Sequence, residues 1–104
     1  MALESSHVLN NQAENRFEAS LDGQTALLQY RLSGGQITFL HTEVPAQFEG
    51  RGLGGELVRA GLDYARSHAL KIVPLCSFVA GYLKRHPEYI DLVADSHKDK
   101  VRQS

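Results

Sequence analysis

Four glycines fall within six residues, Gly50-Arg51-Gly52-Leu53-Gly54-Gly55, and the chain passes at once into a helical pattern from Glu56 to Ala65. Glycines ahead of a helix let the backbone approach a ligand closely. They also aim several N–H groups, with the positive end of the helix dipole, at one spot. Such a spot binds phosphate, so the fold must present a strand, a loop and a helix with the loop open to a ligand.

The 104 residues suffice for one domain with a modest core, and not for separate cofactor and substrate domains. Eleven basic against twelve acidic residues give a net charge of -1, without the basic footprint of a nucleic-acid binder. No apolar stretch resembles a signal peptide or a membrane span, and the single Cys76 has no internal partner for a disulfide. The expectation is a cytoplasmic chain, a monomer or weak dimer, with neither nucleic acid nor membrane as partner.

Residues 1–14 are polar with little periodicity and 96–104 form a charged tail; both are expected to be flexible, flanking one domain over 15–95. Phe17, Ala19 and Leu21 alternate with polar neighbours. Asp22-Gly23 turns the chain, and Ala26, Leu28, Tyr30 and Leu32 alternate again, which predicts a hairpin. Gly34-Gly35 leads into a strand from Ile37 to Val44, ended by Pro45.

After the glycines, Leu53, Leu57, Val58, Gly61, Leu62 and Ala65 recur at helical spacing, predicting an amphipathic helix of about four turns. Lys71 to Cys76 reads as a short strand. Ser77 is a plausible cap for a second helix carrying Phe78, Val79, Tyr82 and Leu83, which Pro87 stops. Tyr89 to Val93 reads as a last edge strand. The fold class is therefore mixed α+β, antiparallel strands followed by β-α-β-α and a final strand.

Gly50-x-Gly52-x-x-Gly55 matches the dinucleotide fingerprint as a string, but that fingerprint opens a βαβ unit and has an acid at the end of the next strand. Here that strand ends in Leu75-Cys76. A P-loop fails as well, because no Lys-Ser or Lys-Thr follows the glycines.

The frame Glu49-Gly50-Arg51-Gly52-Leu53-Gly54 resembles the signature loop of the GCN5-related N-acetyltransferase superfamily, with Glu49 where that pattern has Gln or Arg. Taken with His41-Thr42-Glu43-Val44-Pro45, Cys76 after a short strand, and Tyr82 to Pro87, the chain looks like the very small acetyltransferase-like subfamily that lacks the early helices. The resemblance runs from about Phe17 to Val93. It implies that the loop amides grip the pyrophosphate of acetyl-CoA, the co-substrate, and that the strand ending at Val44 pairs with the pantetheine arm. No metal is implied.

On that footing Val44, Gly50, Arg51, Gly52, Leu53, Gly54 and Gly55 are candidate acetyl-CoA contacts, with Lys84 and Arg85 reaching the outlying phosphates. Cys76, between a strand end and a helix start where the dipole favours a thiolate, is a candidate nucleophile; otherwise it is a small core residue. His41 shares strand parity with Ile37 and Phe39, which places it on the apolar side and partly buried. It and Glu43 are candidate proton acceptors. Tyr82 reads by spacing as core. In larger family members a tyrosine on the corresponding helix can protonate the leaving thiolate.

Two functions follow from the resemblance. One is transfer of an acetyl group from acetyl-CoA to an amine, either directly or through Cys76. The other is a non-catalytic CoA-binding sensor or scaffold. The sequence names no acceptor.

Overall fold

The computed structural model describes residues 8–48, 50 and 52–101. One sheet holds five strands in chain order: β1 Val8–Asn11, β2 Arg16–Leu21, β3 Gln24–Ser33, β4 Gln36–Glu43 and β5 Lys71–Pro74. The first four pair antiparallel through short turns. Helix α1, Leu53–Ser67, carries the chain back across the sheet, so β5 joins β4 in parallel. Helix α2, Ser77–Arg85, and two 3₁₀ segments, Pro87–Leu92 and Asp95–Lys100, complete the mixed α+β fold.

The alternation in β2 and β3 buries Phe17, Ala19, Ala26, Leu28 and Tyr30 on one face of the sheet. Helix α1 covers that face with the residues its spacing predicts: Leu53, Leu57, Val58, Gly61, Leu62 and Ala65 are all buried, and Gly54 is buried with them. Each fully buried Leu or Val contributes roughly 1.5–3 kcal/mol. The helix lies unusually close to the strands at Gly61, where an added Cβ would stand 2.8 Å from the Phe39 ring.

Four features depart from the sequence reading. The sheet starts earlier than expected, because Val8–Asn11 pairs with β2 and Asn10 Oδ1 accepts a 2.6 Å hydrogen bond from the Tyr30 hydroxyl. Residues 89–93 do not form an edge strand. Pro87 opens a 3₁₀ segment that takes in Tyr89, Ile90 and Leu92, and Val93, extended just beyond it, makes an isolated bridge to Ile72. The start of the polar tail is packed, for Val101 is 2% exposed and Lys98 Nζ lies 3.1 Å from Asp95 Oδ1. Residues 1–7 and 102–104, the remainder of the ends read as flexible, lie outside the described residues.

The fourth departure bears on function. Between Gln29 and Tyr30 the β3–β4 register slips: Tyr30 faces Phe39, Gln29 faces His41, and Leu40 has no partner. This β-bulge reverses side-chain parity beyond Phe39. His41 is therefore exposed on the sheet face opposite Phe39, where burial was expected, and Thr42 turns toward the helices in its place.

The close packing at Gly61 predicts that Gly61→Ala loses about 1–3 kcal/mol by overpacking against Phe39. Gly81 lies within α2 and an added Cβ there would only reach ordinary contact, 3.6 Å from Arg85 Nη1. Gly81→Ala should gain about 0.5–1 kcal/mol from helix propensity. Urea unfolding checks both; unchanged or higher stability in Gly61→Ala contradicts this packing.

Candidate functional site

The parallel pairing of β4 and β5 ends at Phe39 and Pro74. Proline has no N–H to extend the ladder, and the last link is from the Cys76 N–H to the Phe39 carbonyl, 2.9 Å. Beyond it β4 runs on to Glu43 while the other chain turns into α2. The sheet thus opens at the carboxyl ends of two parallel strands, the usual place for a ligand in such sheets.

A cavity of about 560 Å³ fills this opening. Its floor is the end of β4, with Thr42 and Val44; Phe48 closes one side, from a 3₁₀ turn at Ala46–Phe48. Gly50, Gly52, Leu53, Gly54 and Gly55 form the wall opposite α2. Helix α2 contributes Phe78, Tyr82 and Arg85, three residues at i, i+4 and i+7 on one face.

The glycine wall has the features of an anion site. Gly52, at φ 81°, is the N-cap of α1 in a left-handed conformation that glycine adopts without strain. The Glu56 N–H donates to the Gly52 carbonyl, 3.0 Å, and Gly52 itself has no side chain with which to cap the helix. The N–H groups of Leu53, Gly54 and Gly55 belong to the first turn of a 15-residue helix, where no carbonyl of the helix itself can accept from them. Gly54 also permits close packing: an added Cβ would lie 2.7 Å from the Phe78 ring and 3.4 Å from Val44 Cγ2.

Among the described residues, Arg85 is the charged side chain that lines the cavity. Burial raises the Tyr82 phenol above its ordinary range, so it keeps its proton at neutral pH. Its ring stacks on His86, with centroids 4.1 Å apart.

Cys76 is 8% exposed and stands just behind the cavity wall, where its Sγ lies 3.2 Å from Thr42 Oγ1. It is also the N-cap of α2, without a side-chain capping bond, so Ser77, read from sequence as the cap, is the first helical residue. His41 and Glu43 do not line the cavity. They project from the other face of β4 and bond to each other, His41 Nε2 to Glu43 Oε2 at 2.9 Å. Lys84 is exposed and does not line the cavity either. Glu49 and Arg51 lie outside the described residues.

The structure therefore gathers Val44, the described glycines, Leu53 and Arg85 around one cavity, with Cys76 behind it, and separates His41, Glu43 and Lys84 from it. Sequence reasoning missed Thr42, Phe48 and Phe78 as lining residues and took Tyr82 for core. Helical periodicity shows which residues share a face, as Phe78, Tyr82 and Arg85 do, but not whether that face meets a core or a cavity. Among the described residues no group of three His, Cys, Asp or Glu side chains is placed to hold a metal, and no helix is long and apolar enough to cross a membrane.

The comparisons with known proteins agree with this geometry. Residues 16–92 match the family model described as GCN5-related N-acetyl-transferase. Protein NATD1 of mouse is 34% identical over 83 residues, covering 77% of this chain and 76% of its own; human Protein NATD1 has the same identity over the same length. The solution structure of a GCN5-like protein from Staphylococcus aureus superposes with a TM-score of 0.69 at 28% identity, covering 88% of this chain and 91% of that one. The match over most of the domain, together with a sheet that opens beside a glycine-rich helix start, establishes that this chain belongs to the GCN5-related N-acetyltransferase family.

Proposed function

We propose that this protein binds acetyl-CoA in the cavity between β4 and α2 and transfers the acetyl group to an amine by way of Cys76. The observation that carries this reading is the glycine-rich start of α1. Leu53, Gly54 and Gly55, whose amides belong to the first turn of that helix, line a cavity that Arg85 also lines. A pyrophosphate accepts from several converging N–H groups and is favoured by the helix dipole, while Arg85 adds a charge-assisted contact from across the cavity. Thr42 and Val44 lie on the part of β4 that has left β5, and its free edge suits an extended pantetheine amide chain.

In the transfer step, the Cys76 thiolate attacks the acetyl carbon, the bond from that carbon to the CoA sulfur breaks, and an acetyl thioester forms on Cys76. CoA departs as a thiolate stabilised by a hydrogen bond from the protonated Tyr82 hydroxyl and takes its proton from water. The acceptor amine then attacks the acetyl-Cys76 carbonyl, restoring the Cys76 thiolate. His41, oriented by Glu43 on the outer face of β4, takes the amine proton. The donor thus occupies the helix side of the sheet and the acceptor approaches from the open side.

Calorimetric titration with acetyl-CoA should show binding in the submillimolar range. Arg85→Gln is expected to weaken it by about tenfold or more, the loss of one charge-assisted hydrogen bond. No binding by the wild type would remove the basis of the proposal.

The covalent route predicts that intact mass rises by one acetyl group after mixing with acetyl-CoA, and that Cys76→Ala does not take up this mass. His41→Gln should load as fast as wild type and slow the amine-dependent loss of the label by about 10²-fold, the scale of one general base. If Cys76→Ala transfers acetyl at the wild-type rate, the amine attacks acetyl-CoA directly.

A further inference from the structure

We propose that Thr42 is a positioning residue for Cys76, its hydroxyl donating to the sulfur across the opening of the sheet and stabilising the thiolate form. The inference rests on reading Cys76 as the atom that carries the acetyl group, and it asks what prepares that sulfur. His41 does not do so, because the bulge at Leu40 sends it to the far face of β4, where it bonds to Glu43. The same reversal brings Thr42 inward, with Oγ1 3.2 Å from the Cys76 Sγ.

The contact is held from both sides. The Cys76 backbone is tied to β4 by its N–H bond to the Phe39 carbonyl, 2.9 Å, so the sulfur has little freedom to move away. Thr42 is β-branched and stiff at χ1, and it occupies a strand position fixed by pairing with Leu28. Thr42 lines the cavity, whereas Cys76 lies behind it. The hydroxyl therefore links a residue of the cavity lining to the sulfur beside it.

A hydroxyl carries one donor and can accept as well. Toward a neutral thiol the bond runs in either direction; toward a thiolate it runs only from Thr42 to sulfur, and a hydrogen bond to a charged group is the stronger kind. The Thr42 hydroxyl thus makes its stronger bond to the sulfur when the sulfur is the charged nucleophile. A stabilised thiolate is intrinsically a weaker nucleophile, but with a Brønsted coefficient of about 0.4–0.5 the gain in thiolate outweighs that loss near neutral pH.

The test is the rate at which iodoacetamide alkylates the full-length chain, in which Cys76 is the one cysteine, at pH 7 and at pH 10. Thr42→Val should slow alkylation about fivefold at pH 7 and exceed wild type by a few-fold at pH 10, where thiolate no longer limits either protein and the less stabilised sulfur is the stronger nucleophile. Thr42→Ser, which keeps the hydroxyl, should follow wild type at both values. Thr42→Ala, which removes the hydroxyl without adding bulk, should follow Thr42→Val. A purely structural role would change exposure and shift the rates by the same factor at both pH values; that result, or an unchanged rate in either folded variant lacking the hydroxyl, overturns the proposal. Intact mass after exposure to acetyl-CoA separates the two readings. An unlabelled wild type whose alkylation still depends on Thr42 refutes the acetyl-Cys76 intermediate, while a labelled wild type with Thr42-independent alkylation refutes only the role of Thr42.

Discussion

The parting of β4 from β5 after Phe39 and Pro74 governs the architecture of the site, since each wall of the cavity is defined by it. Two parallel strands in register have no room for a ligand between them. Pro74 ends the ladder by lacking an N–H, the chain turns at Leu75, and Cys76 makes the last link to β4 before α2 begins. The remaining stretch of β4, from Leu40 to Glu43, is paired on one side only. The bulge at Leu40 bends this strand and reverses its side chains, so that Thr42 enters the opening and His41 leaves it.

The helices then convert an opening into a binding surface. Gly61 lets α1 settle onto Phe39 and Leu28, and Gly54 lets its first turn approach Phe78 and Val44. These contacts fix the position of the first-turn N–H groups. The structure therefore couples the apolar core to the anion site through one rigid helix: the residues that bury Leu57, Val58 and Leu62 also hold Leu53 to Gly55 at the cavity wall. Helix α2 faces them with a ring at Phe78, a protonated phenol at Tyr82 and a cation at Arg85, an ordering that suits a ligand with an apolar arm and an anionic end.

Much of this was legible in the chain because it rests on periodicity. Alternation located β2, β3 and β4, and the 3.6-residue spacing located the buried face of α1 residue by residue. The glycine cluster was legible for a different reason, since only a close approach of backbone to ligand or helix accounts for so many glycines at one helix start. The misplaced features are those in which a single residue changes the phase or a short polar stretch gains its order from tertiary contacts. A bulge leaves no mark on an alternating sequence, so His41 was carried to the wrong face. Val8–Asn11 lacks an apolar pattern and is ordered by pairing to β2 and by the Tyr30–Asn10 bond. Tyr89 to Val93 is apolar enough for a strand, but Pro87 starts a 3₁₀ segment ahead of it.

The account stands on one claim, that the amides at the start of α1 hold the phosphates of CoA. An amide chemical-shift titration of the ¹⁵N-labelled chain with CoA tests it directly. The largest shifts should fall on Leu53, Gly54 and Gly55, with smaller ones on Thr42, Val44 and Tyr82, and inorganic pyrophosphate should move the first set without the second. Shifts confined to the open face of the sheet, around Gln29 and His41, with Leu53 to Gly55 unmoved, would contradict it.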